Sequence, residues 1–488
     1  MASDRLHYNA TLAILATAGT AYALQQTMVL PALPALQRDL QTSTTWVTWV
    51  FTGFLLVSSV ATPLLGKLGD QHGKERVLVA SLVVFFVGCA GAAFAWNIWS
   101  LIAFRAVQGA AGAIFPLSYG IIRDEFPREK VGVAIGLISA VFGVGGGLGI
   151  VLSGLIVDNL SWRWLFVVGA VPIAIAAVLV WRFVPESPIR SPSRMDIRGA
   201  TLLSLSLVAL LVALTEGEEW GWASTRISLL FVASAVGLVA WVLAELRAAE
   251  PMVDMRMMGG RTVLFTNLTA VAAGFAMFGS FVLIPNFVET PRGLASSTAS
   301  LVDYGFDASA TKGGLYLLPS TIFLLFAGPA AGLIARRTGW KWPLAFGMLL
   351  VGIAAGMLAF FNDHPRQVLA AMPLLGIGVG FAFAAMAALI TQAVRATETG
   401  VATGMNTVMR TIGGVIGGEV GAALLVAHTI GRTSVPASSG YEIAFAVSGA
   451  VALVGVGLAM FVTPVRASES VALAHADVGG EPVPEQPL

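Results

Sequence analysis

Charge is scarce in this sequence. Of 488 residues, 28 are Lys or Arg and 27 are Asp or Glu, so charged side chains make up 11% of the chain, against about 25% in an ordinary soluble domain. The net charge is +1, and no basic field marks a nucleic-acid partner. Cysteine is scarcer still. The one residue, Cys89, allows no intramolecular disulfide and no Cys-based metal site. The five histidines sit at ends, in loops or, for His428, at the end of an apolar run, and no two are four apart. No catalytic constellation, metal set or Walker-type phosphate loop is visible, so an enzyme, a metal, an organic cofactor and ATP drive are not expected.

Apolar surface is what the chain has in excess. Hydrophobic residues make up 57% of it and the mean hydropathy is +0.83. A soluble globule cannot hide that much, because its surface falls too slowly with size. The runs 11–24, 77–96 and 444–462 carry no charge at all. Such runs read as membrane-spanning helices, since backbone polar groups in lipid must be satisfied within the segment. Fourteen spans are expected, at 11–33, 46–65, 77–96, 99–122, 131–157, 163–184, 198–215, 227–246, 262–288, 313–334, 342–361, 366–391, 399–427 and 442–463. The first reads as a retained span and not a signal peptide, because it runs on to Leu33 and only Arg5 precedes it.

The Lys/Arg bias orients them. With the N-terminus inside, nineteen basic residues fall in cytoplasmic segments and seven outside, leaving Arg105 and Arg410 within the membrane. Both termini are then cytoplasmic. The turns 66–74 and 332–341 each carry glycines seven apart, with a charge four residues after the first. That is the weak internal symmetry that transporters show. The fold class expected is an all-α polytopic membrane protein of 14 transmembrane helices, built as two six-helix pseudo-symmetric halves plus two inserted helices. Its parts would be 1–186 and 258–466 for the halves, 187–257 for the inserted pair, and 467–488 for a polar, Pro/Gly-rich, disordered cytoplasmic tail.

Three stretches carry a resemblance. The turn 66–76 reads Gly-x-Leu-x-Asp-x-x-Gly-Lys-x-Arg; in span 4 stands Leu101-Ile102-Ala103-Phe104-Arg105-Ala106-Val107-Gln108-Gly109; and span 5 holds Gly143, Gly145, Gly146, Gly147, Gly149 and Gly154. These closely resemble motifs of the major facilitator superfamily. Together with Ser161-Trp162-Arg163-Trp164, Asp196-Ile197-Arg198-Gly199, Gly221-Trp222 and residues 251–256, the chain resembles the fourteen-helix drug:proton antiporters of bacteria over about residues 8–465. The resemblance implies a bacterial cytoplasmic-membrane exporter of small amphipathic molecules working by alternating access, with protons as the coupling ion. It is expected to act as a monomer whose only other partner is the bilayer. By that resemblance Gly66, Asp70, Gly73, Lys74 and Arg76 gate the cytoplasmic side, and Arg105 stands in the cavity wall near proton coupling, unless it snorkels to the interface. Gly145, Gly149 and Gly154 serve close helix packing, but prolines of the family's antiporter motif are missing, with Gly146 and Ile150 in their places.

One departure is larger. Where the family usually has an Asp in span 1, this chain has Gln25 followed by Gln26. These amides can donate to and accept from a substrate, or they can join helices. The clearest acid well inside a span is Glu419, so it is the candidate proton carrier, with structural hydrogen bonding as the other reading. Asn267, Asn406 and Arg410 are candidate substrate contacts, with Asn286 and Met405 beside them. Glu289, Asp303, Asp307 and the cluster Glu216, Glu218 and Glu219 read as acids of the outer loops and span ends, in solvent. The missing Asp and the altered span 5 leave an alternative: a uniporter or importer of a small neutral solute.

Overall fold

The structure, a computed structural model, describes residues 8–187, 189–190, 195–292, 302–430 and 435–463. The tail expected at 467–488 lies outside them, as do Arg5, Arg194, Arg432 and Arg466. The described residues are helical apart from turns and one isolated bridge between Thr429 and Pro436. Among the described residues, thirteen helical segments are long and apolar enough to cross a membrane. The first expected span is not among them. It forms α1 (Tyr8–Thr27), whose threonines and Gln25–Gln26 make it less apolar, packed against α7 (Arg128–Asn159) and α8 (Arg163–Phe183). It does not run on to residue 33. Pro31 and Pro34 lack the N–H that a helix interior needs, and the chain turns through Leu30–Ala32 into the short α2 (Leu33–Asp39).

The fourth expected span is also interrupted. It forms α5 (Ile98–Gly109) and α6 (Ile114–Glu125), with α5 started by a capping box between Asn97 and Ser100. The break brings Gly112 against α3 (Thr44–His72). A Cβ at Gly112 would stand 2.4 Å from Ser58 Oγ and 2.5 Å from Thr62 Oγ1, so only glycine permits this approach.

The two glycine-spaced turns are built alike. Gly73 (φ 109°) separates α3 from α4 (Lys74–Ala93), and Gly339 (φ 74°) ends α14 (Ala310–Thr338) ahead of α15 (Lys341–Phe360). Positive φ is nearly strain-free only for glycine. Seven residues earlier, each helix meets a partner from the other end of the chain. Gly66 lies against Gly400 of α17 (Thr399–Ala427), and Gly332 lies against Gly132 of α7.

Two helix groups thus meet along two seams. The α7–α14 seam runs from Gly132 and Gly332 at one end to Gly154 and Thr311 at the other. At its crossing a Cβ on Gly136 would sit 2.3 Å from the Gly328 carbonyl oxygen, and one on Gly328 would sit 2.1 Å from that of Gly136. Gly145 and Gly149 face α1 instead, against Ala23 and Thr27, and Thr27 Oγ1 donates to the Gly146 carbonyl at 2.7 Å. At the second seam α3 crosses α17 close to the Gly73 end of the bundle. Completing the second group, α13 (Arg261–Glu289) packs on α17 and α18 (Ser438–Met460), and α16 (Pro365–Ala393) packs on α14 and α15.

The helices expected as an inserted pair, α9 (Ile197–Thr215) and α11 (Thr225–Arg247), pack on each other, and α9 lies against α3 and α17 at the second seam. One apolar cluster takes Val60 and Leu64 from α3, Leu203 and Leu207 from α9, Trp241 from α11, and Val401 and Val408 from α17. Met252, Met255, Met257, Met258, Met405 and Met409 complete it. Below it the Glu245 carboxylate is buried, accepting from Trp241 Nε1 at 3.0 Å and the Val253 N–H at 3.2 Å, and Lys67 Nζ donates to the Pro251 carbonyl at 3.2 Å.

The glycine crossing gives a direct stability test. Gly136→Ala or Gly328→Ala forces two backbones apart and is expected to cost about 1–3 kcal/mol. Gly457→Ala, whose Cβ meets nothing within 4 Å, is expected to be neutral or slightly stabilising. Thermal unfolding of the purified variants checks this; equal melting of all three would contradict the crossing.

Candidate functional site

At the Gly73 end, the 66–76 turn holds the two helix groups together. The Asp70 carboxylate, fully buried, accepts hydrogen bonds from the backbone N–H of Gly400 at 3.1 Å and Val401 at 3.0 Å. These are free donors of the first turn of α17, where a negative charge is also favoured by the helix dipole. Lys74, equally buried, pairs with Asp124 at 2.7 Å and reaches Asp70 at 3.7 Å. Ser187 donates to Asp124, and Glu186 pairs with Arg76 at 2.9 Å and with Arg190. Gly73 faces Glu186 so closely that a Cβ would lie 2.5 Å from its Oε1.

A second contact of opposite sign stands beside it. Arg123, in the last turn of α6, donates to the carbonyls of Val394 (2.8 Å) and Arg395 (3.0 Å) and to Thr399 Oγ1 (2.7 Å). A guanidinium fork suits the carbonyls at the C-terminus of α16. The sequence showed Arg123 only as one more loop charge; its place in the last turn of a helix was the available signal.

Arg105 is fully buried among α1, α3 and its own helix α5, on the side of the bundle away from the Gly73 end. Its Nε donates to the Val50 carbonyl at 2.9 Å, and its Nη1 to the Gln25 carbonyl at 3.3 Å and to Gln108 Oε1 at 2.5 Å. Its guanidinium lies 4.4 Å over the Phe54 ring. Gln25 and Gln108 both direct side-chain Nε2 at Cys89 Sγ, at 3.6 and 3.4 Å. Gln25 Oε1 and Arg105 Nη2 are buried with no hydrogen-bond partner. Gln26 is buried as well.

Arg410 is 7% exposed, with its guanidinium 4.9 Å from the Phe142 ring of α7 and 4.4 Å from the Phe383 ring of α16. A chain of ring contacts joins the two arginines. Tyr22 touches Phe54 and Phe115, Phe115 touches Phe142, and Phe142 touches Phe383. This aromatic tract was not legible in the sequence, because helices apolar all round carry no moment that reveals their inward face. Among the described residues, neither arginine has a carboxylate within salt-bridge distance.

The remaining candidates are arranged differently from a single ring around a cavity. Asn406 Nδ2 donates to Asn267 Oδ1 at 2.9 Å, so these two buried amides join α17 to α13. Glu419 is half-buried. Gly413, Gly414, Gly417 and Gly421 turn one face of α17 to α13, and helical periodicity puts Glu419 on the other side. Nine residues from Arg410, it points away from that side chain too. Asn286 donates to the Val282 carbonyl, and Met405 belongs to the apolar cluster under the inserted pair. Glu216 departs from the expectation of a solvated acid. It is buried at the end of α9, where its Oε1 accepts from Trp49 Nε1 at 2.7 Å, and burial pushes its carboxyl up from the usual carboxylate range.

This arrangement of two glycine-spaced turns, two seams and a charged, aromatic interior has known counterparts. The family model described as Major Facilitator Superfamily matches residues 15–418 and 266–485. The multidrug transporter protein MdtP of Bacillus subtilis is 28% identical, covering 78% of this chain and 68% of its own length. The tetracenomycin C resistance and export protein of Streptomyces glaucescens is 28% identical, covering 80% of this chain and 71% of its own. An uncharacterized MFS-type transporter of Mycobacterium tuberculosis, Rv1877, is 32% identical over 77% of this chain, which spans about half (53%) of that relative's length. Among solved structures, the human organic anion transporter MFSD10 superposes with a TM-score of 0.66 at 15% identity, covering 92% of this chain and 99% of that one, a likeness of fold. The chain belongs to the major facilitator superfamily.

Proposed function

We propose that this chain exports amphipathic drugs or secondary metabolites across the bacterial cytoplasmic membrane in exchange for protons, by alternating access. Fourteen helices would span the bilayer, with residues 1–186 and 258–466 as halves, 187–257 as an inserted pair, and both termini in the cytoplasm. The Gly73 end is then the cytoplasmic end. The observation that carries this reading is the Asp70 carboxylate, which reaches from the first helix group to the first turn of α17 in the second. A contact made of hydrogen bonds to a helix end, without interlocked side chains, can be broken and remade. It closes one end of the bundle over an interior that holds two buried arginines and an aromatic tract. Relatives whose names record multidrug transport and antibiotic export point the same way.

Glu419 remains the proposed proton carrier, as the acid placed furthest inside a span of the second group. A second reading, uniport or import of a small neutral solute, is favoured by one feature: an amide, Gln25, meets Arg105 where the family's acid is expected, and Arg105 bonds its backbone carbonyl.

Three outcomes are expected. Asp70→Asn and Arg123→Gln each weaken charge-assisted bonds worth about 1.5–3 kcal/mol. A cysteine introduced at buried Thr403 should therefore react about ten times faster with a water-soluble maleimide applied from the cytoplasmic side; an unchanged rate would remove the latch. Drug accumulation in inverted vesicles should collapse with a protonophore, and Glu419→Gln should abolish that dependence. In reconstituted vesicles, flux that ignores an imposed pH gradient would select the uniporter.

A further inference from the structure

The charge balance inside the bundle points to a substrate class. Two guanidiniums, of Arg105 and Arg410, are buried in the bundle, and among the described residues neither has a carboxylate within salt-bridge distance. Where the resemblance implies an acid in span 1, this chain has the neutral amide Gln25. Gln108, the Val50 and Gln25 carbonyls and three phenyl rings lower the cost of burying these cations, but neutral groups do not cancel charge, and a cation in an apolar interior remains costly. Arg105 also keeps one nitrogen, Nη2, with no hydrogen-bond partner, and Gln25 Oε1 is in the same condition.

Arg410 is placed to use an incoming anion. It sits on the seam, with one flanking ring from the first group (Phe142) and one from the second (Phe383). Its guanidinium has five N–H donors in a planar fork that matches a carboxylate. The adjoining rings of Phe115, Phe142 and Tyr22 pack on one another and form an aromatic surrounding for Arg410. A cationic amphipath would meet the same rings but would add a like charge to two uncompensated ones.

We propose that this site selects aromatic amphipaths bearing an anionic group, with the anion held by Arg410, the field of Arg105 adding to its attraction, and the ring system against Phe142 and Phe383. The proposal narrows the drug-or-metabolite reading above and rests on it for the direction of transport, but not for binding.

The test uses one ring system in three charge states: anthracene-9-carboxylate, anthracene-9-carboxamide and the ammonium form of 9-(aminomethyl)anthracene. Binding to the purified full chain in nanodiscs is measured by calorimetry, with empty nanodiscs subtracted for partition into lipid. The carboxylate should bind at least tenfold more tightly than the carboxamide, and the ammonium most weakly. Arg410→Gln should erase the preference for carboxylate, and Arg410→Lys should retain part of it. Should Arg410→Gln fail to fold, the ranking on the unaltered protein decides alone. Equal binding of carboxylate and carboxamide, tighter binding of the ammonium, or a preference that survives Arg410→Gln overturns the proposal. Selective binding with no flux in vesicles would support the anion site and remove the transport reading; drug flux with no charge preference would do the reverse.

Discussion

Asp70 and the first turn of α17 meet at a boundary where a buried charge must be satisfied from across the joint, with the Arg123 bonds beside it. The carboxylate is buried, so its charge has to be met locally, and two backbone N–H donors and the Lys74 ammonium meet it. Lys74 in turn needs Asp124, and Asp124 takes Ser187. The latch is therefore one end of a chain of mutually dependent buried groups, and breaking one member leaves a charge stranded at a cost of about 3–5 kcal/mol. Gly66 and Gly73 make it possible. The first lets α3 lie on the backbone of α17, and the second turns the chain so that Lys74 points back at Asp70. The seam between α7 and α14 has a different character. It runs the full length of both helices, is drawn together by opposed glycines, and carries polar bonds near its ends, from Thr311 to Asp158 and from Arg336 to the Glu129 carbonyl.

Sequence reasoning reached the helices, their approximate ends and both glycine-spaced turns, because apolar runs and positive-φ glycines are local properties. It joined two pieces that the structure separates. Residues 99–122 read as one span, and 98–125 is indeed one membrane-long segment, but its helix breaks at 110–113 to admit Gly112 beside Ser58 and Thr62. Residues 28–33 read as the end of span 1 although Pro31 and Pro34 were in plain view. The site was less legible. Arg105 stood out as a charge in an apolar run and is buried, but apart from Gln108 its partners come from two other helices, α1 and α3. Phe142, Phe383 and Tyr22 look like any other apolar residue of their spans. Glu216 read as a solvated acid because its partner, Trp49, lies far away in sequence. The separation of Arg410 from Glu419, by contrast, is contained in their spacing, since nine residues make two and a half turns of helix.

Together these features describe an interior that is positive and aromatic and an end that is closed by reversible polar bonds. The two requirements are physically distinct. Closing one end needs charges met by opposite charges or donors of the protein itself, as Asp70, Lys74 and Asp124 are, although Asp124 Oδ1 keeps no hydrogen-bond partner. A recognition site gains from groups that the protein leaves incompletely met, and the unpartnered atoms of Arg105 and Gln25 are of that kind.

The apolar cluster beneath the inserted helices spans both sides of the α3–α17 seam, so any opening there has to drag six methionines across their neighbours. Thioether side chains are unbranched and soft, and they can repack without passing through eclipsed, high-energy arrangements. Under the alternating-access reading proposed above, the pair α9 and α11 would act as a lubricated bearing over the joint, letting the surfaces beneath it slide. The same chemistry makes it vulnerable. Conversion of those sulfurs to sulfoxides would turn a compliant apolar contact into a polar one, so oxidative damage would jam the joint without touching the latch or the site.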